Sequence, residues 1–261
     1  MPKFLPFILL ICFSLTLKAQ TWEIGGGIGG AGYMGDLNQH KPLALSGISL
    51  SGFVKRNFNG YLSAKLSLGY GEIGAADSNS NDAQTRIRNL SFTNKLVETS
   101  LTGEFNFMHY IPDAGKNKFT PYVFLGVGLT GFSPKTIYNE KEYSLRGFQT
   151  ENVNYSNRTM VIPYGVGIKY NIMGKFNLIA DVGYRYTFTD YLDDVSGVYV
   201  DPALLRNDRA RTLADRSGEK TGNYVGYAGT QRGDFRSRDT YLFINVSLSF
   251  TFVTQRCYYE R

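Results

Sequence analysis

Cysteine is almost missing from this sequence. Its 261 residues contain two, Cys12 and Cys257, and Cys12 falls inside an amino-terminal apolar run. Only Cys257 is left beyond that run, so no intrachain disulfide can form, and paired-cysteine zinc or redox spacings do not occur. Histidine is equally scarce, with His40 and His109 alone. That leaves no His/Cys metal-ligand cluster and no Ser–His or Asp–His constellation at one place. Past the amino terminus no apolar run approaches the about 20 residues of a membrane-spanning helix. The reading is of a chain that is neither an enzyme nor a helical membrane protein.

What the chain has is aromatic and glycine residues: 19 Tyr, 18 Phe and 29 Gly. That content excludes a disordered chain. Met1-Pro2-Lys3, the apolar stretch Phe4–Leu17 and the small residue Ala19 read as a secretory signal peptide over 1–19. The formal charge is +6, of which Lys3 and Lys18 belong to that segment. A barrel domain is expected over 20–252, with a periplasmic tail over 253–261.

Strict alternation of apolar and polar residues dominates the rest. Leu62, Ala64, Leu66, Leu68 and Tyr70 share one face, against Ser63, Lys65, Ser67 and Gly69. Val97, Thr99, Leu101, Gly103, Phe105 and Phe107 oppose Glu98, Ser100, Thr102, Glu104 and Asn106. The same pattern runs through Tyr122–Phe132, Ile162–Tyr170, Leu178–Phe188 and Tyr241–Phe252. It is weaker in Trp22–Met34 and Ile48–Lys55. These make eight expected strands.

The connections alternate in length. Gly35–Gly47, Gly71–Arg88, Ser133–Arg158 and Thr189–Arg238 are long. Asn57–Gly60 and Asn171–Lys175 are short, with the Asn and Gly that tight hairpins favour. Met108–Lys118 is intermediate. In hydrocarbon every backbone polar group needs an internal partner, so a strand protein spans only as a closed barrel. The expected fold is therefore all-β: an eight-stranded antiparallel transmembrane β-barrel of the outer membrane, with long extracellular loops and short periplasmic turns. Its outside would meet lipid and lipopolysaccharide. Asn245-x-Ser247-x-x-Phe250-x-Phe252 resembles the aromatic-ended signal of bacterial outer-membrane barrels, although Ser247 stands where Gly is usual and nine residues follow Phe252.

Inside such a barrel the side chains fill the space. The inward set is expected to include Glu23, Lys55, Lys65, Glu98, Glu104, Lys169, Asp181 and Arg185, acids and bases in equal number and able to pair. Glu98 and Glu104 lie six residues apart along one strand, roughly 20 Å, too far to act as a catalytic pair. Gly25-Gly26-Gly27-Ile28-Gly29-Gly30 fits G-x-G-x-x-G, but a dinucleotide site needs it between a strand and a helix. Here it reads as room for large lumen side chains. No nucleic-acid partner and no cofactor is expected.

In the last long loop, Asp201-Pro202 reads as an N-cap and first helical residue, predicting a helix from Pro202 to about Arg216 closed by Gly218. Asp190, Asp193, Asp194 and Asp201 are weak Ca²⁺ candidates without EF-hand spacing. Arg206, Arg209, Arg211 and Arg216 face either lipopolysaccharide phosphates or the neighbouring Asp208 and Asp215. At the opposite end Lys116, Lys118, Lys175 and Arg256 make a basic rim suited to an acidic docking partner.

The run Tyr191-Leu192-Asp193-Asp194-Val195-Ser196, followed by Asp201-Pro202, resembles the PorG-like outer-membrane barrel family of Bacteroidota. So do Pro121-Tyr122-x-Phe124-x-Gly126-x-Gly128 and Pro163-Tyr164-Gly165-Val166-Gly167-Ile168-Lys169-Tyr170. The resemblance implies a component of the type IX secretion system whose periplasmic side contacts lipoprotein and ring subunits of that machine. It brings no catalytic residues. The alternatives left open are a structural or adhesin-type surface barrel acting through its outer loops, and a small-solute channel.

Overall fold

A computed structural model describes residues 21–112, 117–234 and 236–252. The segment expected to be a signal peptide, Lys116, Arg256, Cys257 and the expected tail over 253–261 lie outside the described residues. Eight long strands form the wall: β1 (Thr21–Met34), β2 (Leu45–Asn57), β3 (Leu62–Ala76), β4 (Ser91–Asn106), β5 (Phe119–Gly131), β8 (Arg158–Met173), β9 (Phe176–Thr187) and β10 (Thr240–Phe252). A short hairpin, β6 (Pro134–Tyr138) and β7 (Lys141–Ser144), rises from the β5–β8 connection.

Each wall strand pairs antiparallel with two neighbours. The order β3-β2-β1-β10-β9-β8-β5-β4 is closed by the β3–β4 pairing, so the wall is a continuous eight-stranded barrel. Closure leaves the wall without an unpaired edge, so its long sheet offers no template for aggregation. β6 pairs with β4 through Thr93↔Lys135 and Asn94↔Pro134, extending that strand above the rim.

The alternation sets the two faces. Ile28, Leu50, Leu66, Leu101, Val127, Val166 and Val246 are all exposed on the outer surface. Their partners one residue along point inward, and the inner set is polar: Ser49, Lys55, Glu98, Ser100, Glu104, Lys169 and Ser247 are buried. A barrel that is apolar outside and polar inside inverts the arrangement of a water-soluble sandwich and suits a hydrocarbon surround. Large inner side chains are accommodated by glycine on facing strands. A Cβ at Gly183 would sit 2.6 Å from Phe124 Cζ, and one at Gly167 would sit 2.6 Å from Tyr122 Cε1.

The β2–β3, β4–β5 and β8–β9 connections lie at one end, the short-turn end. The other four lie at the opposite end and fold into a dome. Tyr33, Phe92, Phe132, Tyr155, Leu192, Val195 and Leu213 pack there in one hydrophobic core that continues down to Tyr241 and Phe243 in the upper barrel.

The structure corrects the helix expected from Pro202 to about Arg216. Pro202–Leu204 is a single 3₁₀ turn capped by Asp201, and Leu205 is extended. A separate helix, α2 (Asp208–Ala214), starts afresh because the Asn207 side chain accepts from the Ala210 N–H. Gly218 closes nothing; it opens α3 (Gly218–Thr221). An earlier helix, α1 (Ala83–Arg88), is capped by Asp82 and lies in the β3–β4 loop. Neither α1 nor the β6–β7 hairpin follows from the alternation.

Candidate functional site

Polar chemistry gathers in two places, the lumen and the dome. In the lower lumen Glu104 (β4) is the hub. Its carboxylate lies 2.6 Å from Lys169 Nζ (β8), 3.0 Å from Lys65 Nζ (β3) and 3.7 Å from Lys55 Nζ (β2). Lys55 also pairs with Glu23 at 3.0 Å, and Glu23 accepts from Ser249 Oγ and Asn57 Nδ2. Lys169 donates to Asn106 Oδ1 at 2.8 Å and sits over the Tyr122 ring at 4.2 Å. The upper lumen has a second centre, where Glu98 accepts from Arg185 Nε at 3.0 Å and Tyr241 Oη at 2.6 Å.

Asp181 stands between the two centres and accepts from the Tyr122 hydroxyl at 3.3 Å. Eight charged lumen residues, four of each sign, thus form a compact neutral core, with the acids Glu98 and Glu104 in separate centres. Ser51, Phe53, Lys65, Phe124, Asp181 and Arg185 line a residual cavity of about 40 Å³, room for a few waters at most. The glycine run 25–30 lies wholly within β1, with a loop and then β2 after it, so the dinucleotide context is missing.

The dome is organised by two arginines, the half-buried Arg88 and the buried Arg232. Arg88 forks onto Asp77 at 2.7 and 2.8 Å and reaches the backbone oxygen of Asp36. Arg232 pairs with Glu151 at 2.7 Å and donates to the backbone oxygens of Asp194 and Ala214. Residues 191–196 plug the barrel mouth between them. Tyr191 stacks on Tyr155 at 4.5 Å, Leu192 and Val195 are buried, and the Leu192 carbonyl accepts from Asn94 Nδ2 of β4. Asp194 turns the plug at a positive φ of 70° and accepts from Thr150 and Tyr155 hydroxyls, each at 2.5 Å.

Of the four aspartates singled out in the sequence, Asp190 meets Asp36 and Asp239, whose carboxylate oxygens fall within 4.8 Å of its own. Asp193 joins them through Tyr33, whose hydroxyl lies 2.6 Å from Asp193 Oδ2 and 2.9 Å from Asp239 Oδ1. Asp194 and Asp201 belong elsewhere: one braces the plug, the other caps a turn. Burial pushes the Asp36 and Asp239 carboxyls far above the usual carboxylate range, and each is raised further by Asp193. Burial also lifts Asp190 to about 6.

Among the loop arginines, Arg211 pairs with Asp208 and Arg216 with Glu219, both at 2.8 Å. Arg209 lies over the Tyr138 and Tyr143 rings. Asp215 does not face an arginine; it accepts from the Ser217 and Gly226 N–H groups. At the short-turn end, Lys118 and Lys175 are exposed on the rim, Lys175 standing 6.0 Å from the Phe250 ring.

Sequence reasoning passed over Asp36, Asp77, Arg88, Glu151, Arg232 and Asp239. All come from loops, where period 2 is silent. No local sequence signal brings them together; in the structure Met34 lies opposite Thr240, which sets Gly35 and Asp36 beside Asp239.

A family model described as "Domain of unknown function (DUF6089)" matches residues 2–203. No curated protein matches the chain. Among solved structures, neisserial surface protein A is similar with a TM-score of 0.47 and 9% identity, over 90% of this chain and 100% of that one. OprG of Pseudomonas aeruginosa gives 0.45 and 13%, over 92% and 99%. A major outer membrane protein of Thermus thermophilus gives 0.44 and 16%, over 90% and 100%.

Proposed function

The chain belongs to the DUF6089 family, and from that premise we propose that it is a non-enzymatic outer-membrane barrel, its lumen sealed, that anchors a protein-secretion assembly through its short-turn, periplasmic end. The observation that carries the reading is the filled lumen. A barrel whose charged interior is neutral and packed around Glu104 offers solutes no path, so its use lies in its two ends and its hold on the membrane. Buried charges stripped of partners would be costly, which makes the packed interior a device for rigidity.

The finer assignment, to the type IX secretion system with its lipoprotein and ring subunits as partners, rests on the sequence resemblance of Tyr191–Ser196 and Asp201-Pro202. Exposed Lys118 and Lys175, with exposed Met108, Ile172 and Met173 beside them on the same rim, supply a basic and apolar surface for such partners. The export signal over 1–19 and the lipopolysaccharide contact of the outer surface belong to the same proposal.

A second reading is favoured by one feature of the dome. Tyr224, Val225 and Tyr227 are exposed together on the long-loop end, Tyr227 at 71%, as an adhesin-type contact surface would have them. The two readings separate in vivo. Charge reversal at Lys118 and Lys175 abolishes co-purification of periplasmic subunits and protein secretion if the anchor reading holds. Replacing Tyr224 and Tyr227 by Ser abolishes surface binding, and leaves secretion intact, if the dome does the work.

A further inference from the structure

We propose that Asp36, Asp190 and Asp239 form a binding site for one divalent cation of the calcium type, placed where β1, β9 and β10 leave the barrel for the dome. One carboxylate oxygen from each residue lies within 4.8 Å of the other two. Ca²⁺ holds its oxygen ligands at about 2.3–2.6 Å. Oxygens sharing one ion therefore stand no more than about 5 Å apart, and the trio meets that spacing. The donor set is all oxygen, with no imidazole or thiolate, which selects a hard cation.

Asp36 separates this trio from a chance gathering of acids. Its side chain is 2% exposed. Oδ1 accepts from the Asp234 N–H, while Oδ2 is buried and has no hydrogen-bond partner among the described residues. A carboxylate oxygen cut off from both water and donors is rare in folded proteins, because its desolvation goes uncompensated. A cation supplies the missing partner.

The nearby arginines do not. Arg88 is engaged bidentately by Asp77, and it reaches Asp36 only at the backbone oxygen. Arg232 is paired with Glu151. Asp193 adds a fourth acidic side chain through the shared Tyr33 hydroxyl, and none of the four is in a salt bridge among the described residues. Gly35 keeps the space open: a Cβ there would overlap both Asp239 Oδ1 and the Tyr33 hydroxyl. The site ties together three chain segments far apart in sequence, so an ion bound there would lock the dome onto the barrel mouth. It stands independently of the anchor reading, because it concerns the opposite end of the molecule.

The test uses the mature chain refolded into detergent micelles without lipopolysaccharide, which itself binds Ca²⁺, and stripped with EDTA. Tb³⁺ is the first probe, since Tyr33 beside the site can sensitise its luminescence. One Tb³⁺ per chain, displaced by Ca²⁺, is expected, and Ca²⁺ should raise the thermal unfolding midpoint. Asp36→Asn and Asp190→Asn should each weaken binding about tenfold or more, whereas Asp208→Asn on exposed α2 should leave it unchanged. In EDTA, Asp36→Asn should unfold no earlier than the parent, because Oδ2 has no partner to lose when no ion is bound; that separates a lost ligand from a lost fold. Should Asp36→Asn fail to refold, the half-buried Asp190→Asn decides. Absence of a Ca²⁺-displaceable Tb³⁺ signal in the parent chain, or parental affinity in the Asp190→Asn variant, overturns the proposal.

Discussion

Lys169 Nζ on β8 donates to Glu104 Oε2 on β4 at 2.6 Å, across the intervening β5 and inside the barrel. The same carboxylate meets Lys65 of β3 and Lys55 of β2, so one side chain cross-links four of the wall strands. Glu104→Gln therefore leaves Lys169 and Lys65 without a carboxylate partner in the ion-pair network, at a cost of about 3–5 kcal/mol. Lys55 keeps Glu23. Urea unfolding in micelles should show the loss as a lower midpoint. Replacing Glu104 and Lys169 together by Leu should recover a good part of it, since a well-packed apolar pair need not be less stable than a buried ion pair.

The packing around that hub also decides transport. Purified protein in planar bilayers should show no steady conductance, because the cavity of about 40 Å³ is walled by Phe53, Phe124 and Arg185. Deleting the plug residues 192–196 should leave the membrane silent as well, since the obstruction lies deeper, at Glu98–Arg185 and at Glu104. A steady ohmic current from the parent chain would reinstate the solute-channel reading.

The wall was legible from the sequence because each strand carries one chemical decision per residue: lipid side or lumen side. That is why Glu23, Lys55, Lys65, Glu98, Glu104, Lys169, Asp181 and Arg185 were assignable as one inward set before any pairing was known. Who meets whom was not legible. It depends on register and stagger, and nothing in the local sequence says that Lys169 faces Glu104 while Arg185 faces Glu98. The dome was less legible still. Its order comes from non-local contacts such as Arg232–Glu151, and the long helix suggested by Asp201-Pro202 is broken where Asn207 offers a second cap. Tyr191–Ser196 stood out in sequence as a distinctive block, and the burial of residues 192–195 in the barrel mouth gives that distinctiveness a packing reason.

Membrane placement of the wall can be checked with two substitutions of similar exposure. Leu66 on β3 is 55% exposed and Ile137 on β6 is 62% exposed, but Leu66 lies within the wall and Ile137 on the hairpin above the rim. Leu66→Arg should destabilise the barrel in lipid vesicles by about 2–4 kcal/mol, as arginine does near a bilayer midplane. Ile137→Arg should cost within about 0.5 kcal/mol, as surface changes usually do. Equal effects at the two positions would mean that the wall does not sit in hydrocarbon.

The dome should loosen as pH rises through the mildly acidic range. Burial pushes the Asp194 carboxyl up to about 6, opposed by Arg232 and by the Thr150 and Tyr155 hydroxyls, and assisted by the nearby Glu151. A carboxyl raised in the folded state favours that state when protonated. Its contribution is complete below the unfolded value of about 4 and is lost as pH climbs through about 6. The two-unit rise corresponds to a stability change on the order of 3 kcal/mol. In EDTA, limited proteolysis of the loops should accelerate between pH 5 and pH 7.5, with the wall unaffected. Asp194→Asn should reduce that dependence, with Asp190 supplying a remainder in the same range, and asparagine is suited to the position because it tolerates the positive φ found there. If the variant kept the parental pH profile, Asp194 would not be the group responsible.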